Sequence, residues 1–175
     1  MKRLFLLRHA KAEPHGEGDG DKSRALTERG RRDAANMALH MRRKKYLPDT
    51  VLCSTSVRTR ETLEYWMVAI AENPKVQFID ALYLAEPETM LSLIRRASDA
   101  SSALMVVAHN PGTEQVAMAL LHEELKSKER DYVDALEEKF PTAALAVMDF
   151  DAESWKSVKP SSGTLVDFVR PKDLY

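Results

Sequence analysis

The chain reads LFLLRH from Leu4 to His9, four apolar residues followed at once by a cation and an imidazole. A short apolar run of this kind is typical of a strand that is buried on both faces of a parallel sheet. In such sheets, ligands bind outside the carboxyl ends of the strands. A guanidinium group binds anions through paired N–H donors, and an imidazole is a nucleophile or proton carrier near neutral pH. Arg8 and His9 therefore indicate chemistry on a phosphoryl group.

Two further apolar runs lead to side chains of the same kind. The pattern predicts strands over 50–53 and 103–108, the first leading into Arg58 and the second stopping at His109. Because the carboxyl ends of parallel strands share one edge of a sheet, we expect Arg8, His9, Arg58 and His109 to converge. The two arginines and His109 would bind the phosphoryl oxygens while His9 attacks phosphorus, and arginine would neutralise the charge without a metal or cofactor.

The rest of the chain alternates between helical and strand patterns. Thr27 is a plausible N-cap, Pro48 follows the end of that first helix, and a second helix is expected from Glu61. Later helices are expected near Pro87 and after Pro111. Further strands are predicted over 76–79, 143–150 and 164–169, the last two as an antiparallel pair. This order predicts a three-layer α/β/α sandwich with a mostly parallel central sheet, in a single domain over residues 1–175.

Two segments do not follow this alternation. The loop over 14–21 is rich in glycine, proline and aspartate, so we expect it to run over the surface, from where it could cover a site. The charged segment from Glu123 to Lys139 is predicted to be a solvent-facing helix or loop, and its role stays open.

Composition limits the classes of function. With 26 basic and 27 acidic residues among 175, the formal net charge of -1 provides no overall field for nucleic acid or an anionic membrane, so any anion must bind locally. The single cysteine, Cys53, allows no intrachain disulfide and no thiolate metal site. No apolar run has the length of a bilayer span. We expect a soluble, cytoplasmic protein; a monomer is the working expectation, with the oligomeric state left open.

Other phosphate chemistries fit less well. A cysteine phosphatase needs its arginine six positions after the thiolate, and counting from Cys53 that position holds Thr59. Asp19 and Asp21 resemble the start of a calcium loop, but the position of the required glutamate holds Gly30. No phosphate-binding Gly-x-x-x-x-Gly-Lys motif occurs. A noncatalytic module that binds a phosphorylated partner through the same pocket remains an alternative.

The motifs together resemble the histidine phosphatase, or phosphoglycerate mutase-like, superfamily, and most closely its small SixA-type phosphohistidine phosphatases. The family signature Arg-His-Gly is matched by Arg8, His9 and Ala10, with alanine in place of glycine. The resemblance covers essentially the whole chain; its other elements are Leu26, Thr27 and Gly30, then Ser54, Arg58, Glu61 and Thr62, then Ala108 to Pro111, and the late segments Pro141 to Phe150 and Leu165 to Pro171.

The resemblance implies that His9 becomes phosphorylated and that Arg8, Arg58 and His109 line the phosphate pocket. It favours a protein phosphohistidine phosphatase, with hydrolysis of small phosphomonoesters as the alternative. The substrate would then be a phosphorylated protein or a small phosphomonoester. Mutases carry extra segments around a proton-donating carboxylate, and this chain has no obvious copy of them. Asp80, Glu86 and Glu88 are candidate acids, although a carboxylate in front of a helix is more often a cap.

Overall fold

The sheet has six strands and is mostly parallel, as predicted. The computed structural model describes residues 1–18 and 20–175, so Asp19 of the calcium-loop hypothesis lies outside the described residues. The strand order is β3-β2-β4-β1-β5-β6. Strands β1 to β4 pair in parallel, whereas β5 runs antiparallel to both β1 and β6. The strands are β1 (Lys2–Arg8), β2 (Thr50–Ser54), β3 (Lys75–Ile79), β4 (Ala103–Ala108), β5 (Leu145–Phe150) and β6 (Gly163–Val169).

Helices cover both faces of the sheet, which confirms the three-layer architecture. They are α1 (Glu28–Lys44), α2 (Val57–Ile70), α3 (Pro87–Arg95), α4 (Gly112–Leu120) and α5 (Ser127–Glu138). Side chains of alternate residues in β1 enter different cores, because successive side chains of a strand point to opposite faces. Leu4 and Leu6 pack with α3, α4 and α5, whereas Phe5 and Leu7 pack with α1 and α2. The strand end at Arg8 is therefore held between two layers of helices.

Helix α2 begins four residues earlier than predicted. It starts at Val57 instead of Glu61, because the side chain of Ser56 caps it by accepting a hydrogen bond from the backbone N–H of Thr59 at 3.3 Å. Arg58 consequently lies in the first turn of a helix and not in the turn that precedes one. This rigid element fixes where the guanidinium group can reach.

The prediction of a solvent-facing segment over 123–139 is wrong for part of its length. Helix α5 packs one side on the sheet, with Val133 and Leu136 buried. Its Glu129 is only 4% exposed. The charged residues on the outer side of the helix hide this apolar spacing in the sequence. None of the helices that the structure describes is long and apolar enough to cross a bilayer.

Candidate active site

The structure brings the four predicted side chains together. Arg8, His9, Arg58 and His109 line one cavity of about 330 Å³ at the carboxyl edge of the parallel strands. Arg8 is the last residue of β1, and His9 follows it directly. Arg8 lies beside Ala108 of the neighbouring strand β4. The backbone N–H of His9 donates to the Ala108 carbonyl at 3.1 Å. The sheet itself therefore places the two imidazole-bearing residues at the same level.

The His9 ring is held in one tautomer. Its Nδ1 lies 2.8 Å from the carbonyl oxygen of Ala10. Because a carbonyl can only accept, Nδ1 carries the proton and Nε2 of the neutral ring keeps its lone pair. Among the described residues, no hydrogen-bond partner occupies Nε2. The ring therefore has the form that a nucleophile for phosphorus requires.

A short hydrogen-bonded chain connects the residue that follows His9 to helix α2. The N–H of Ala10 donates to Thr62 Oγ1 at 2.9 Å, and the Thr62 hydroxyl donates to the Arg58 carbonyl at 2.6 Å. Alanine fits here in place of the family's glycine because its methyl group is fully buried in a small cluster with Leu26 and Ala143. The departure from the signature at Ala10 thus adds apolar packing beside His9.

Burial and neighbouring cations keep the His9 ring neutral. His9 is only 7% exposed, and this burial lowers its pKa to about 3; the hydrogen bond to Ala10 opposes the shift, and His109, Arg8 and Arg58 add to it. His109 behaves similarly, with its pKa lowered to about 3 by burial and then by Arg58 and Arg8, against an opposing contribution from Asp21. Both imidazoles are therefore uncharged across the physiological pH range.

His109 lies against His9 and is only partly bonded. The two ring centroids are 5.4 Å apart. His109 Nε2 lies 2.8 Å from the Ser54 hydroxyl at the end of β2, whereas its buried Nδ1 has no hydrogen-bond partner among the described residues. The ring of Tyr83 meets His109 edge to face at a centroid distance of 5.4 Å. His109 therefore keeps one ring nitrogen without a partner among the described residues while the other contacts Ser54.

Each of the two arginines is held in place by hydrogen bonds to another part of the chain. Arg8 Nη1 donates to the Phe140 carbonyl at 2.9 Å, and burial lowers the pKa of Arg8, with Arg58 contributing in the same direction. Arg58 is 3% exposed and donates to the Asp21 carbonyl at 2.8 Å and to its carboxylate at 3.0 Å. The Nε of each arginine is buried and has no partner among the described residues. Both groups therefore keep donors for a phosphoryl oxygen.

Sequence reasoning missed Asp21 and Tyr83. Asp21 lies in the loop that was expected to run over the surface and cover a site, but no pocket contact was predicted for this residue; it lines the cavity and binds Arg58, Arg24 and the Tyr83 hydroxyl. An aspartate in a glycine-rich loop is a common turn residue, so its spacing in the sequence contained no signal for this contact. Tyr83, which lies between β3 and α3, also had no sequence pattern that indicated a contact in the site.

The carboxylates proposed as acids do not reach the cavity. Asp80 accepts from the Thr55 hydroxyl at 2.6 Å and its side chain is 85% exposed; Glu86 and Glu88 are exposed, and none of the three lines the cavity. Among the described lining residues the carboxylate is Asp21. Hydrogen bonds from Tyr83, Arg24 and Arg58 hold its pKa well below the usual range, so it is ionised and cannot donate a proton at neutral pH. The described residues also contain no cluster of three or more histidine, cysteine or carboxylate side chains that could hold a metal ion.

Comparison with known proteins identifies the family of this chain. A family model described as histidine phosphatase superfamily (branch 1) matches residues 4–83. An uncharacterized protein of Mycobacterium tuberculosis is 32% identical over 166 residues, which is 95% of this chain and 100% of the relative.

Solved structures extend the similarity to the whole fold. A candidate phosphohistidine phosphatase SixA from Agrobacterium tumefaciens is 34% identical, with a TM-score of 0.79 over 97% of this chain and 98% of the other. The protein histidine phosphatase SixA in complex with tungstate shares the fold at 20% identity, with a TM-score of 0.79 over 99% of each chain. The sequence and structure comparisons together show that this chain belongs to the histidine phosphatase superfamily, branch 1.

Proposed function

We propose that this protein is a phosphatase that forms a covalent phosphohistidine on His9, and that its substrate is a phosphohistidine side chain of another protein. One observation carries the proposal. The Nδ1 proton of His9 is directed to the Ala10 carbonyl, which leaves Nε2 as a neutral nucleophile in a cavity that also holds the guanidinium groups of Arg8 and Arg58.

The reaction takes two displacements. In the first, His9 Nε2 forms a bond to phosphorus while the bond from phosphorus to the substrate nitrogen breaks, and the departing imidazole takes a proton from solvent. In the second, a water oxygen attacks phosphorus, the bond to Nε2 breaks and inorganic phosphate leaves, with the water proton released to solvent. Arg8, Arg58 and His109 bind the phosphoryl oxygens in both steps, because the negative charge is spread over those oxygens in transit.

No carboxyl group among the described lining residues is protonated at neutral pH, which favours nitrogen as the leaving atom. An alkoxide must be protonated as it departs, whereas an imidazole with a conjugate-acid pKa of ~6.5 leaves far more easily. Asp21, the carboxylate that lines the cavity, is held ionised by its donors. This chemistry supports a phosphohistidine substrate over an ordinary small phosphomonoester.

The relatives support the same assignment. A chain that is described as a candidate phosphohistidine phosphatase SixA matches this one at 34% identity over nearly its full length. A more distant SixA of the same fold was solved with tungstate, a tetrahedral oxyanion. A pocket with two arginines and two imidazoles is suited to an anion of that shape.

Substitution of His9 tests the proposal. We expect His9→Ala to lower kcat/KM toward a phosphohistidine peptide by at least ~1,000-fold, because it removes the atom that bonds to phosphorus. His40→Ala, which changes a half-buried histidine on α1, should leave the rate within about two-fold of wild type. The same assays with a phosphoserine peptide and p-nitrophenyl phosphate measure the preference for nitrogen over oxygen.

The outcomes separate the alternatives. Retention of most activity by His9→Ala contradicts covalent catalysis. Wild-type protein that binds the phosphohistidine peptide but does not turn it over is a phosphate-binding module. Faster turnover of p-nitrophenyl phosphate and phosphoserine than of phosphohistidine identifies a small-molecule phosphomonoesterase.

A further inference from the structure

A second cavity adjoins the one that holds His9. It has a volume of about 250 Å³, and Thr142 lines both cavities. Its cationic lining residues are Arg29, Lys139, Arg170 and Lys172. The second cavity is therefore a basic extension of the first.

The segment between the two cavities, called the wall below, is hydrogen-bonded to Arg8 and His9. Residues 139–144 connect α5 to β5, and the Phe140 carbonyl accepts from Arg8 Nη1 at 2.9 Å. The N–H of Ala143 donates to the His9 carbonyl at 3.0 Å. Since the wall bonds to the backbone of the nucleophile and to an arginine of the pocket, the position of the basic extension relative to the phosphoryl group is fixed.

The two cavities together are far more basic than the chain as a whole. The first is lined by four cationic residues and Asp21, and the second by four cationic residues and Glu138, on a chain whose net charge is -1. Part of this charge is already neutralised. Arg170 pairs with Asp173 at 3.0 Å and with Glu138 at 3.7 Å, and Arg29 lies 3.6 Å from Asp33.

Three lysines in the lining remain without such partners. Lys11 in the first cavity and Lys139 and Lys172 in the second are exposed, and they form no salt bridge with any residue in the part of the chain that the structure describes. One phosphoryl group is held by Arg8, Arg58 and His109 beside His9. It leaves Lys139 and Lys172 in the second cavity with no anion to bind, and Lys11 is a further exposed cation of the first cavity.

We propose that the basic surface, defined as Lys11, Lys139 and Lys172, docks an acidic segment of the phosphoprotein on either side of its phosphohistidine. This inference rests on the proposed function and names the kind of partner. An extended peptide advances ~3.3 Å per residue, so flanking carboxylates can lie over the second cavity while the phosphoryl group lies beside His9. Exposed rim charges of this type act mainly on the rate of association and on its dependence on salt.

The test uses defined probes. Two nine-residue peptides carry a central phosphohistidine, one flanked by glutamates and the other by glutamines, and phosphoramidate serves as a small substrate without flanks. We expect kcat/KM at low salt to be on the order of ten-fold higher for the glutamate peptide. The preference should shrink toward unity at ~0.5 M NaCl, because salt screens interactions between exposed charges.

Charge reversal localises the effect. Lys139→Glu combined with Lys172→Glu should abolish the preference for the glutamate peptide and leave phosphoramidate hydrolysis within about two-fold of wild type. Lys139→Gln with Lys172→Gln, a milder pair, should give a reduced preference. The matched control is Arg42→Glu with Arg43→Glu, two exposed cations on α1, the helix of Arg29. They lie ~20 Å along that helix from Arg29 and should not change the preference.

Three kinds of result would contradict either the docking surface or the proposed function. If phosphoramidate and both peptides are not hydrolysed, the proposed function fails. If all are hydrolysed but wild type shows no preference, or the Lys139→Glu, Lys172→Glu protein keeps it, the docking surface is contradicted and the proposed function stands. If inorganic triphosphate inhibits through these lysines while the glutamate peptide has no advantage, the surface binds a small polyanion, which also overturns the proposal.

Discussion

Two buried polar regions of this protein contain a histidine near charged groups, and they are built differently. On the antiparallel side of the sheet, Glu129 is 4% exposed and accepts from His122 Nε2 at 3.0 Å and from the Leu165 N–H at 3.0 Å. In the cavity beside His9, buried nitrogens of Arg8, Arg58 and His109 have no hydrogen-bond partner among the described residues.

The difference separates a region whose polar groups are satisfied within the chain from one whose buried nitrogens are left without partners among the described residues. Folded proteins pair nearly all of their buried polar groups, so three unpaired nitrogens that belong to one cavity favour a site whose partner comes from outside the fold. Among the described residues, the other buried side-chain atom without a partner, His40 Nε2, belongs to a residue that does not line this cavity. The carboxylate of Glu129 connects α5 to β6 and completes its bonds within the chain. The cations around His9 repel one another and keep free donors, an arrangement that is costly for folding and suited to an anion.

The largest expected difference in activity is between substitutions of the two cavity arginines and substitution of an arginine outside the cavity. Arg8→Ala and Arg58→Ala should each lower kcat/KM toward a phosphohistidine peptide at least ~100-fold, the scale for loss of one group that stabilises charge in the transition state. Arg60→Ala is the matched control on the same helix. Its guanidinium group is exposed and lies 4.2 Å from the centroid of the Phe78 ring, so its loss should change the rate little. Equal losses for Arg58 and Arg60 contradict the role of the pocket.

Substitution of Glu129 should lower stability and leave catalysis nearly unchanged, which is the opposite of the effect expected for the arginines. Glu129→Ala leaves the buried N–H of Leu165 without its acceptor, and we expect the free energy of unfolding to fall by ~1–3 kcal/mol. The value of kcat should remain within about two-fold of wild type. Urea unfolding and steady-state rates measure the two effects, with Glu137→Ala on the exposed side of α5 as the control. A large fall in kcat without loss of stability breaks the comparison between the two regions.

The pH dependence of stability sharpens the comparison. The pKa of His9 and of His109 is lowered to about 3, whereas a histidine in an unfolded chain titrates near ~6.5. The unfolded state therefore takes up protons first. The stability that these groups contribute is present above pH ~6.5 and is lost as pH falls toward 3, by up to ~1.4 kcal/mol per histidine for each pH unit.

Urea unfolding at pH 7.5 and pH 5.5 measures this loss. His9→Asn should reduce the dependence on pH, because one of the two depressed groups is gone. His15→Asn, which changes an exposed histidine in the loop, should follow the wild-type curve. Identical curves for His9→Asn and wild type would show that burial does not hold His9 neutral.

The spacing of apolar residues in the sequence was enough to predict the layers of the fold and the convergence of the four side chains. Apolar runs that end at Arg8 and His109 predict buried parallel strands, because a strand covered on both faces is apolar along its length. That these two strands are neighbours is seen only in the structure. The start of α2 was misplaced because the Ser56 cap acts through one local hydrogen bond that apolar spacing does not reveal. The buried side of α5 was missed because Val133 and Leu136 stand among many charged residues.

Long-range contacts between single polar residues could not be predicted from the sequence. Asp21 reaches Arg58 from a loop 37 positions earlier in the chain, and that pairing has no spacing rule. The basic extension also depends on three distant segments, the start of α1, residues 139–142 and the turn Pro171–Leu174. Each segment alone reads as an ordinary charged surface, and only the fold brings them beside His9.

Direct detection of the phosphoenzyme is the most decisive measurement. Protein is mixed with radiolabelled phosphohistidine peptide, quenched in base within milliseconds to seconds, and mapped by peptide mass spectrometry. The covalent mechanism predicts a base-stable, acid-labile phosphate on His9 that is absent from His9→Ala. Turnover of the peptide with no such adduct in rapid-quench samples, or an adduct on another residue, contradicts it.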